Sequence, residues 1–473
     1  MQLPLDDEDE MRLPGFSLGQ DLNTYLSQVR KVVFSKTEHK HVTLVLGNPS
    51  CDLDSFISAF TLSYFYNSRP NASKYHKAPI YVPVLNLPYV EPEDLWRLRP
   101  EFGVAIRGAF DGLTPQAKQE QTQEAVEARQ RRDKSLLGQL ITVHELANSD
   151  DTLPILRQAF QTSDRYTPGE SQEKVDVILV DHNAPAIETV TDEDIRARFE
   201  VVGCIDHHVE ENYVPQQATP RVIKFGIGSC TTLVTQHLRK INLWTAHPDH
   251  KKLPGYTQIS RLALAPILVD TWDLKAPGDK CTELDKEQVA FLDAQTGDDF
   301  DREDLYNQTN TAKYESLTML RMQEVFARDY KSYAEELDGR MLDIGIASSF
   351  KDMEWLVKHA KGRQRLADEV VKFAQDGKKV LEVFSLLTKS ADGREVSIFG
   401  FGEAGRKAIT VFEENSKEEL QLKEWNEDDA LAKQFDEAVG AGSWKIWWMG
   451  DLSKSRKQIA PLLRDALKQT SKS

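Results

Sequence analysis

The amino-acid sequence predicts an α/β protein with two domains, an N-terminal doubly wound, mainly parallel sheet and a smaller C-terminal α+β domain. A chain of 473 residues is too long for one ordinary hydrophobic core. From about residue 41 to residue 300, short β-branched runs alternate with helical stretches, which is typical of a parallel sheet covered by helices. A polar connector at 297–317 is followed by a new pattern, so we place the domains at residues 1–305 and 318–473.

The predicted strands are short apolar runs that end at a polar turn. In the first domain they are "HVTLVLGN", "APIYVPVLNL", "KVDVILVDHN" and "FEVVGCIDHH", whereas the run "RLALAPILVDTW" reads as a helix. In the second domain the strands include "RMLDIGIASS", "VLEVFSLLTKS" and "EVSIFGFGE", separated by long amphipathic helices. Ligands of open α/β sheets bind at the carboxyl ends of the strands. Those ends are where this chain places its acidic and histidine residues.

Composition and charge exclude several classes of protein. The chain is 40% hydrophobic and 28% charged, and no run approaches the roughly 18–20 apolar residues of a membrane span. Its acidic N-terminus lacks a signal or transit pattern, and its four cysteines include no CxxC pair, so we expect a cytoplasmic protein without a disulfide framework or zinc ribbon. A net charge of -16 argues against a general nucleic-acid binder. A polyanionic substrate stays open if metals and a local basic patch offset the repulsion.

The first motif is "GNPSCDLDS", in which a strand ends at Gly47 and Ser55 opens an amphipathic helix. Asp52 and Asp54 lie in the loop between strand and helix, one residue apart. Their carboxylates are therefore able to address two neighbouring cations. The alternative is a helix N-cap, a position that Asp favours because its carboxylate accepts backbone N–H bonds.

Three further motifs place acids or histidines after apolar runs. Asp181 follows "VILV", and Asp270 ends "APILVD". Between them, "VVGCIDHH" ends in His207 and His208, which either bind a metal or point into solvent from a polar turn. Together the motifs supply a ligand set for two divalent ions at roughly 3.5–4 Å in a phosphate-cleaving site: Asp52, Asp54, Asp181, His207 and Asp270.

These four motifs, in this order, resemble the DHH phosphoesterase superfamily. In the second domain, "FARDYKSY", "LDIGIASSFKDMEWL" and "SRKQIAPLL" resemble the C-terminal domain shared by family II pyrophosphatases, prune-like proteins and fungal cytosolic exopolyphosphatases. Asn48 stands where family II pyrophosphatases have a histidine ligand, and His208 stands where prune-like proteins usually have Arg. The form "GNxSxDxDS", with "GSCTTLV", "ILVDT" and "RDYK", is most similar to exopolyphosphatase. Ala327 departs from that pattern, in which a basic residue is more usual.

The resemblance implies a ligand set for two cations. Asp52 and Asp181 would hold one cation, with Asn48 contributing weakly or through water. The other cation would be held by four side chains: Asp54, Asp181, His207 and Asp270. Oxygen-rich ligation with one imidazole favours Mg²⁺, with Mn²⁺ or Co²⁺ as alternatives.

The resemblance also implies the roles of the catalytic and substrate-binding residues. A hydroxide bridging the metals would attack the terminal phosphorus, with Asp181 and His208 as catalytic residues. His208 would contact the phosphate and assist the leaving oxygen. The second domain would neutralise the substrate, and the site would lie in the cleft between the domains. The substrate-binding side chains would be His208, Arg328, Lys331, Arg456 and Lys457.

The implied function is exopolyphosphatase activity, which releases orthophosphate from the end of inorganic polyphosphate. The alternatives are a magnesium- or manganese-dependent inorganic pyrophosphatase, a short-nucleotide phosphodiesterase, and a chain that has lost catalysis. We expect a monomer that acts on polyphosphate and binds neither nucleic acid nor membranes. Candidates for contacts with a longer phosphate chain, each with the alternative of an ordinary surface charge, are Arg97, Arg99, Lys351 and Arg394.

Overall fold

The computed structural model of this chain divides into two units, Met1–Lys313 and Tyr314–Ser473. Each unit is built around one sheet. The structure describes residues 15–35, 41–69, 79–111, 123–162, 174–247, 249, 252–298, 300–375, 380–389, 393–425, 427–451 and 454–470.

The sheet of the first unit has five strands, all of them parallel, in the order β2-β1-β3-β4-β5. The strands are β1 Val42–Leu46, β2 Ile80–Val84, β3 Val175–Val180, β4 Phe199–Asp206 and β5 Arg221–Ile223. The predicted doubly wound parallel sheet is therefore confirmed. Four of the five strands coincide with the apolar runs of the sequence. The fifth, β5, has only three residues and was not predicted.

Twelve α-helices surround this sheet among the described residues. They are α1 Leu22–Val33, α2 Leu53–Asn67, α3 Leu95–Leu98, α4 Pro100–Asp111, α5 Gln123–Leu137, α6 Val143–Asn148, α7 Pro154–Phe160, α8 Asp192–Arg198, α9 Cys230–Lys240, α10 Pro254–Asp270, α11 Glu283–Asp293 and α12 Arg302–Glu315. Short 3₁₀ turns occur at Pro92–Asp94 and Gly278–Lys280. The run "RLALAPILVDTW" is confirmed as a helix, since it lies in α10 and the turn that follows.

Helix α2 corrects the prediction of an amphipathic helix opened by Ser55. The helix begins at Leu53 with Asp52 as its N-cap, and all 15 of its residues are buried. It is enclosed because it packs against β1 and β2 on one side and against α9 and α10 on the other. A helix that is covered on every side needs no polar face.

The polar stretch at 297–317, which the sequence predicts to be an interdomain connector, contains the division between the two units after Lys313. Most of it forms α12, whose Leu305 lies in the core of the first unit. Phe300 and Tyr306 pack against the same core. Most of this stretch is therefore a core-packed helix with a polar outer face.

The sheet of the second unit has six strands in the order β10-β11-β9-β8-β7-β6. They are β6 Tyr330–Leu337, β7 Arg340–Ser348, β8 Leu381–Lys389, β9 Arg394–Gly400, β10 Leu422–Glu424 and β11 Trp444–Met449. Neighbouring strands are antiparallel except for β7 and β8, which are parallel. This mixed sheet confirms the predicted α+β character of the second domain.

The helices of the second unit are α13 Met322–Arg328, α14 Met353–His359, α15 Arg363–Gln375, α16 Glu403–Ser416, α17 Asp429–Ala438 and α18 Arg456–Gln469, with a 3₁₀ turn at Ser316–Met319. One core cluster joins the sheet to α16 and α18. Within the described ranges, no helix combines the length and the apolar character that crossing a membrane requires.

Candidate metal centre

The predicted acids and histidines of the first unit meet at the carboxyl edge of its parallel sheet. The loop after β1 carries Asn48 and Asp52, β3 is followed directly by Asp181, and β4 is followed by His207. In the sheet, β2 lies on one side of β1 and β3 lies on the other. The direction in which strands are added therefore reverses between β1 and β3. Side chains that follow these two strands converge on the crevice where open α/β sheets bind ligands.

Asp181 lies at the centre of this group. It is only 2% exposed, and its backbone has a left-handed φ of 61°, a conformation that Asp tolerates better than most residues. Its N–H donates to the carbonyl of Ile205 at 3.1 Å, which ties the residue to the end of β4. One carboxylate oxygen, Oδ2, accepts hydrogen bonds from Asn48 Nδ2 and Ser55 Oγ, both at 2.7 Å. The other oxygen, Oδ1, faces the histidines.

His207 presents a lone pair to Asp181. Its Nδ1 lies 2.9 Å from the carbonyl oxygen of Ile227, and because a carbonyl only accepts, Nδ1 carries the proton. In the neutral ring Nε2 is then an acceptor, and it lies 3.1 Å from Asp181 Oδ1. Two acceptors at this distance repel each other unless a cation or a proton lies between them. A backbone carbonyl that fixes the tautomer in this way is typical of metal-ligating histidines.

Asn48 is hydrogen-bonded at both ends of its side-chain amide. Its Oδ1 accepts from Ser50 Oγ at 2.6 Å and from the N–H of Cys51 at 3.1 Å, while Nδ2 donates to Asp181. The backbone N–H of Asn48 donates to Ser55 Oγ at 3.1 Å. In this arrangement Asn48 and Ser55 orient the carboxylate of Asp181.

Asp52 and Asp54 differ in their partners. Asp52 is the N-cap of α2, because its carboxylate accepts from the N–H of Ser55 at 3.0 Å. The helix-cap alternative considered for this motif is therefore correct for this contact of Asp52. Asp54 is a residue of α2 and is 2% exposed. Its carboxylate faces the N-terminus of α9, where it accepts hydrogen bonds of 2.6–2.9 Å. The donors are Ser229 Oγ, Cys230 N, Thr231 N and Thr231 Oγ1. The helix dipole of α9 adds to the stabilisation of this buried charge.

Asp270, the last residue of α10, completes the acidic cluster. Burial raises its pKa well above the usual range, Lys313 at 4.0 Å opposes that rise, and the charges of Asp54 and Asp52 add to it. Burial likewise raises the pKa of Asp181 to about 7, with contributions from the charges of Asp52 and Asp54, while His207 opposes that rise. The structure thus brings the predicted carboxylates and His207 within electrostatic range of one another. Such a cluster carries a strong excess of negative charge, which divalent cations would neutralise.

His208 is oriented by Asp206. Its Nδ1 lies 2.7 Å from Asp206 Oδ1 and 3.8 Å from Asp181 Oδ1, so the bond is to Asp206. Asp206 is fully buried, and its Oδ2 accepts from Asn183 Nδ2 at 2.6 Å. Burial alone would raise the pKa of Asp206, but the charge and the hydrogen bond of His208 hold that pKa well below its usual range. One ligand atom each of Asp181, His207 and His208 lies within 4.8 Å of the other two.

Replacing Asp206 by Asn is expected to lower the turnover number about 10–100-fold, the usual effect of losing such a supporting partner. The amide that replaces the Asp206 carboxylate carries no charge, so it no longer stabilises a positively charged His208. If its NH₂ group faces His208, two donors, this NH₂ group and Nδ1–H, oppose each other. Binding of Mn²⁺, measured by calorimetry, should change less than turnover does. Equal losses in metal affinity and in turnover would contradict the role of Asp206 as a partner of His208 alone.

The predicted basic residues of the second unit lie around the start of β6 and the start of α18. Arg456, the first residue of α18, donates to Asp329 at both its carboxylate (2.7 Å) and its carbonyl (2.8 Å). Arg328 and Lys331 flank Asp329 in sequence, with Arg328 buried at the end of α13. Lys457 is exposed in the first turn of α18.

Sequence reasoning missed several residues that support the site. Each of them is a short polar residue or a lysine, and each contacts a site residue that lies far away along the chain. They are Ser55, Asn183, Ser229, Thr231 and Lys313. The only signal in the sequence was the run "GSCTTLV", whose hydroxyl groups proved to serve Asp54. The partner of each hydroxyl depends on how α2 and α9 pack, which periodicity does not reveal.

Comparison with known protein families identifies both halves of the chain. The model of the DHH family, N-terminal domain, matches residues 42–267, and the model of the DHHA2 domain matches residues 310–466. Together these two models span most of the chain. The chain therefore combines a DHH family N-terminal domain with a DHHA2 domain, and the resemblance noted in its motifs is confirmed.

Individual relatives are distant but align over nearly the whole chain. A Schizosaccharomyces pombe protein named "Putative exopolyphosphatase" is 26% identical over 459 residues, which cover 96% of this chain and 98% of the relative. "Exopolyphosphatase PRUNE1" of Rattus norvegicus is 22% identical over 454 residues, covering 94% and 79%. Among solved structures, a Methanococcus jannaschii protein described as a "putative family II inorganic pyrophosphatase" has a TM-score of 0.46 and 18% identity, covering 90% and 99%.

Proposed function

We propose that this chain is a metal-dependent exopolyphosphatase that hydrolyses the terminal phosphoanhydride of inorganic polyphosphate and releases orthophosphate. The observation that carries the proposal is the pair of acceptors formed by His207 Nε2 and Asp181 Oδ1, both on buried side chains and 3.1 Å apart. The names of the S. pombe and rat relatives support this choice of substrate.

The donor set suits hard or borderline divalent cations. Asp52 and Asp181 would hold one ion, while the second would be held by Asp54, Asp181, His207 and Asp270. Asn48 acts on this set by orienting Asp181, since both ends of its amide are hydrogen-bonded to protein groups. When bound, two divalent cations supply Lewis acidity, which polarises a phosphoryl oxygen and lowers the pKa of water. Mg²⁺ or Mn²⁺ matches the oxygen-rich ligands better than a soft metal does.

His208 is suited to hold a proton at Nε2 for the leaving phosphate oxygen. Asp206 fixes the proton on Nδ1 and stabilises the imidazolium, so that Nε2–H is available as a donor in the protonated ring. Asn183 in turn holds Asp206 and accepts from the N–H of Glu211 at 2.6 Å, which keeps the loop after His208 in place. This chain of hydrogen bonds orients the imidazole without a contribution from the substrate.

The basic side chains of the second unit would neutralise the phosphates. Arg456 is held by Asp329, which directs its planar guanidinium, and a guanidinium is able to bind two phosphate oxygens at once. Lys331 and Lys457 would act as point charges. Arg328 is buried, so it would add positive charge to the region rather than contact the phosphates directly.

Asn48 provides a test of metal preference. Replacing Asn48 by His removes the donor to Asp181 and introduces a softer, stronger ligand. The ratio of activity with Mn²⁺ or Co²⁺ to activity with Mg²⁺ is expected to rise about 10-fold. Phosphate release is measured with each metal alone. An unchanged ratio would mean that position 48 does not face the metals.

The proposal is tested by phosphate release from long-chain polyphosphate and from pyrophosphate, with Mg²⁺ and with excess chelator. We expect orthophosphate from the polymer only in the presence of metal, with pyrophosphate left intact. Rapid cleavage of pyrophosphate would support the pyrophosphatase alternative while leaving the metal centre standing. Equal activity with and without chelator would refute the metal-dependent mechanism.

A further inference from the structure

The loop that joins β1 to α2 carries two residues of the candidate metal centre, Asn48 and Asp52. This ligand loop spans residues 47–52. Within it, Asn48, Ser50 and Cys51 are at most 2% exposed, and Cys51 has a left-handed φ of 44°. Residues other than glycine rarely adopt that conformation, which costs free energy and persists only where the surrounding structure enforces it. Groups outside the ligand loop therefore hold it in its shape.

Asn86, which follows β2, provides the first of these contacts. It is fully buried, and its Nδ2 donates to the carbonyl of Gly47 at 3.1 Å and to that of Ala186 at 2.8 Å. Gly47 opens the ligand loop directly before Asn48, whereas Ala186 lies in the loop that begins with Asp181. One side-chain amide thus joins the two loops whose residues meet in the metal centre.

Arg99 provides the second contact. It is 6% exposed, and its Nη2 donates to the carbonyl of Ser50 at 2.5 Å. The backbone of Arg99 is itself fixed, because its N–H donates to the carbonyl of Leu95 and its carbonyl accepts from the N–H of Phe102. The ring of Phe102 packs on that of Phe56 in α2, with 4.7 Å between their centres. A well-anchored side chain thus holds the middle of the ligand loop.

The side chain of Cys51 faces the same two residues. Burial raises the pKa of the Cys51 thiol to about 12, while the charge of Arg99 and a hydrogen bond with the Asn86 backbone oppose that rise. On the other side of the loop, a Cβ at Gly47 would lie 2.8 Å from the Cβ of Ser55, so a larger residue would force the loop and α2 apart. The ligand loop is therefore enclosed between α2 and the segment that contains Asn86 and Arg99.

The path of the ligand loop determines how its side chains meet Asp181. Asn48 Nδ2 lies 2.7 Å from Asp181 Oδ2. Asp52 lies close enough for its charge to act on the carboxyl group of Asp181. A metal site tolerates displacements of only about 0.5–1 Å in its ligands. Residues that fix the loop therefore act on the metal centre without touching the ions.

We propose that Asn86 and Arg99 are positioning residues of the proposed metal centre, which clamp the ligand loop so that Asn48 and Asp52 face Asp181. The inference rests on the proposed function for the nature of the bound ions. It gives Arg99 a role in supporting the metal centre, through its bond to a backbone carbonyl, rather than in binding a phosphate chain.

The test variants are Asn86→Ala and Arg99→Met, with Arg99→Lys as the conservative form that keeps a donor for the Ser50 carbonyl. Binding of Mn²⁺ to the metal-free chain is measured by calorimetry, and urea unfolding is measured without metal. Phosphate release from polyphosphate is then followed over a range of Mn²⁺ concentrations. Arg99→Met is informative by the sign of its effect, because loss of a positive charge near the ligand loop would by itself strengthen the binding of a cation.

The control variants are Asn67→Ala and Arg198→Met, which are matched to the test variants in residue type and burial. Asn67 exchanges hydrogen bonds with the backbone of Tyr81, near the start of β2. Arg198 donates to the carbonyl of Gln161 at 2.6 Å and directly precedes β4. Both controls therefore break comparable bonds at the amino edge of the sheet. Asn67→Ala should cost at least as much stability as Asn86→Ala, because Asn67 Oδ1 is hydrogen-bonded, whereas Asn86 Oδ1 has no such partner within the described ranges.

We expect each test variant to bind at least one of the two Mn²⁺ ions about 10-fold more weakly than the wild type, as is usual when a supporting partner of a metal ligand is lost. Arg99→Lys should lose about threefold, since its ammonium group still offers a donor to the carbonyl. Turnover of the test variants should recover in part as the Mn²⁺ concentration is raised. The controls should bind Mn²⁺ within about twofold of the wild type, because their sites are remote from the metal centre.

The outcomes separate this inference from the proposed function. If the wild type binds Mn²⁺ and hydrolyses polyphosphate, but both test variants bind Mn²⁺ as tightly as the controls do, the clamp is refuted and the function stands. If the test variants bind Mn²⁺ more weakly but the wild type releases no phosphate, the clamp stands without the function. Equal losses of Mn²⁺ affinity in test and control variants would refute the clamp, since general destabilisation would explain them. A wild type that binds no Mn²⁺ would refute the clamp and the metal centre together.

Discussion

Asp181→Asn is expected to lower phosphate release from polyphosphate at least about 100-fold, because Asp181 is the carboxylate shared by both proposed ion sites. The same change should not damage the fold. The amide oxygen is able to accept from Asn48 and Ser55, and the amide NH₂ would donate to His207 Nε2, which in the wild type faces a like acceptor. Loss of activity with an intact fold is therefore the expected pattern.

The metal-free stability of this variant provides a sharper criterion. The Asp181→Asn substitution removes a buried charge that lies close to two other carboxylates, so the free energy of unfolding should rise by about 1–2 kcal/mol without metal. The stabilisation that Mn²⁺ gives to the wild type should disappear. Thermal unfolding with and without Mn²⁺ measures both effects, and Asp176→Asn, at an exposed position of the same strand, is the control. A less stable metal-free variant would show that Asp181 is a structural residue.

Asp285→Ala is expected to cause the largest loss of stability, about 3–5 kcal/mol in the first unit. Asp285 is fully buried, and its carboxylate joins α11 to the loop before α9. Its oxygens accept from four donors: Gly228 N, Thr232 Oγ1, Thr282 N and Thr282 Oγ1. Alanine would leave these donors buried without a partner.

The same substitution should weaken metal binding indirectly. Gly228 lies between Ile227, whose carbonyl fixes His207, and Ser229, whose hydroxyl donates to Asp54. Urea unfolding and a Mn²⁺ titration report the two effects. The control is Asp293→Ala in the same helix, which breaks a half-exposed pair with Arg302 and should cost less than about 1 kcal/mol. Equal losses for both variants would contradict the bridging role of Asp285.

The positions of the site residues were predictable because they depend on a simple rule. Parallel strands end at one edge, so acids that follow apolar runs, such as Asp181, must lie near the histidines that follow β4. The alternation of runs and helices was strong enough to locate four strands. By contrast, β5 has three residues, too few for a period, and α12 was hidden by polar residues on its outer face.

The partners of the site residues were not predictable, because they depend on packing between elements far apart in sequence. Asp54 is a short distance from Asp52 along the chain, but it binds the start of α9, 175 residues away. The composition of "GNPSCDLDS" allowed Asn48 to bind a metal or to orient a neighbour. Only its bonds to Ser50, Cys51 and Asp181 distinguish these roles. Long-range hydrogen bonds of this kind leave no periodic signal.

The most direct test of the central claim, that the acidic cluster with His207 is a binding site for divalent cations, is a calorimetric titration of the metal-free chain with Mn²⁺. We expect saturable binding of two ions per chain in the wild type and in Asp176→Asn, with both sites weakened in Asp181→Asn. Heat that does not saturate, or binding that is unchanged in Asp181→Asn, would contradict the claim and with it the proposed mechanism.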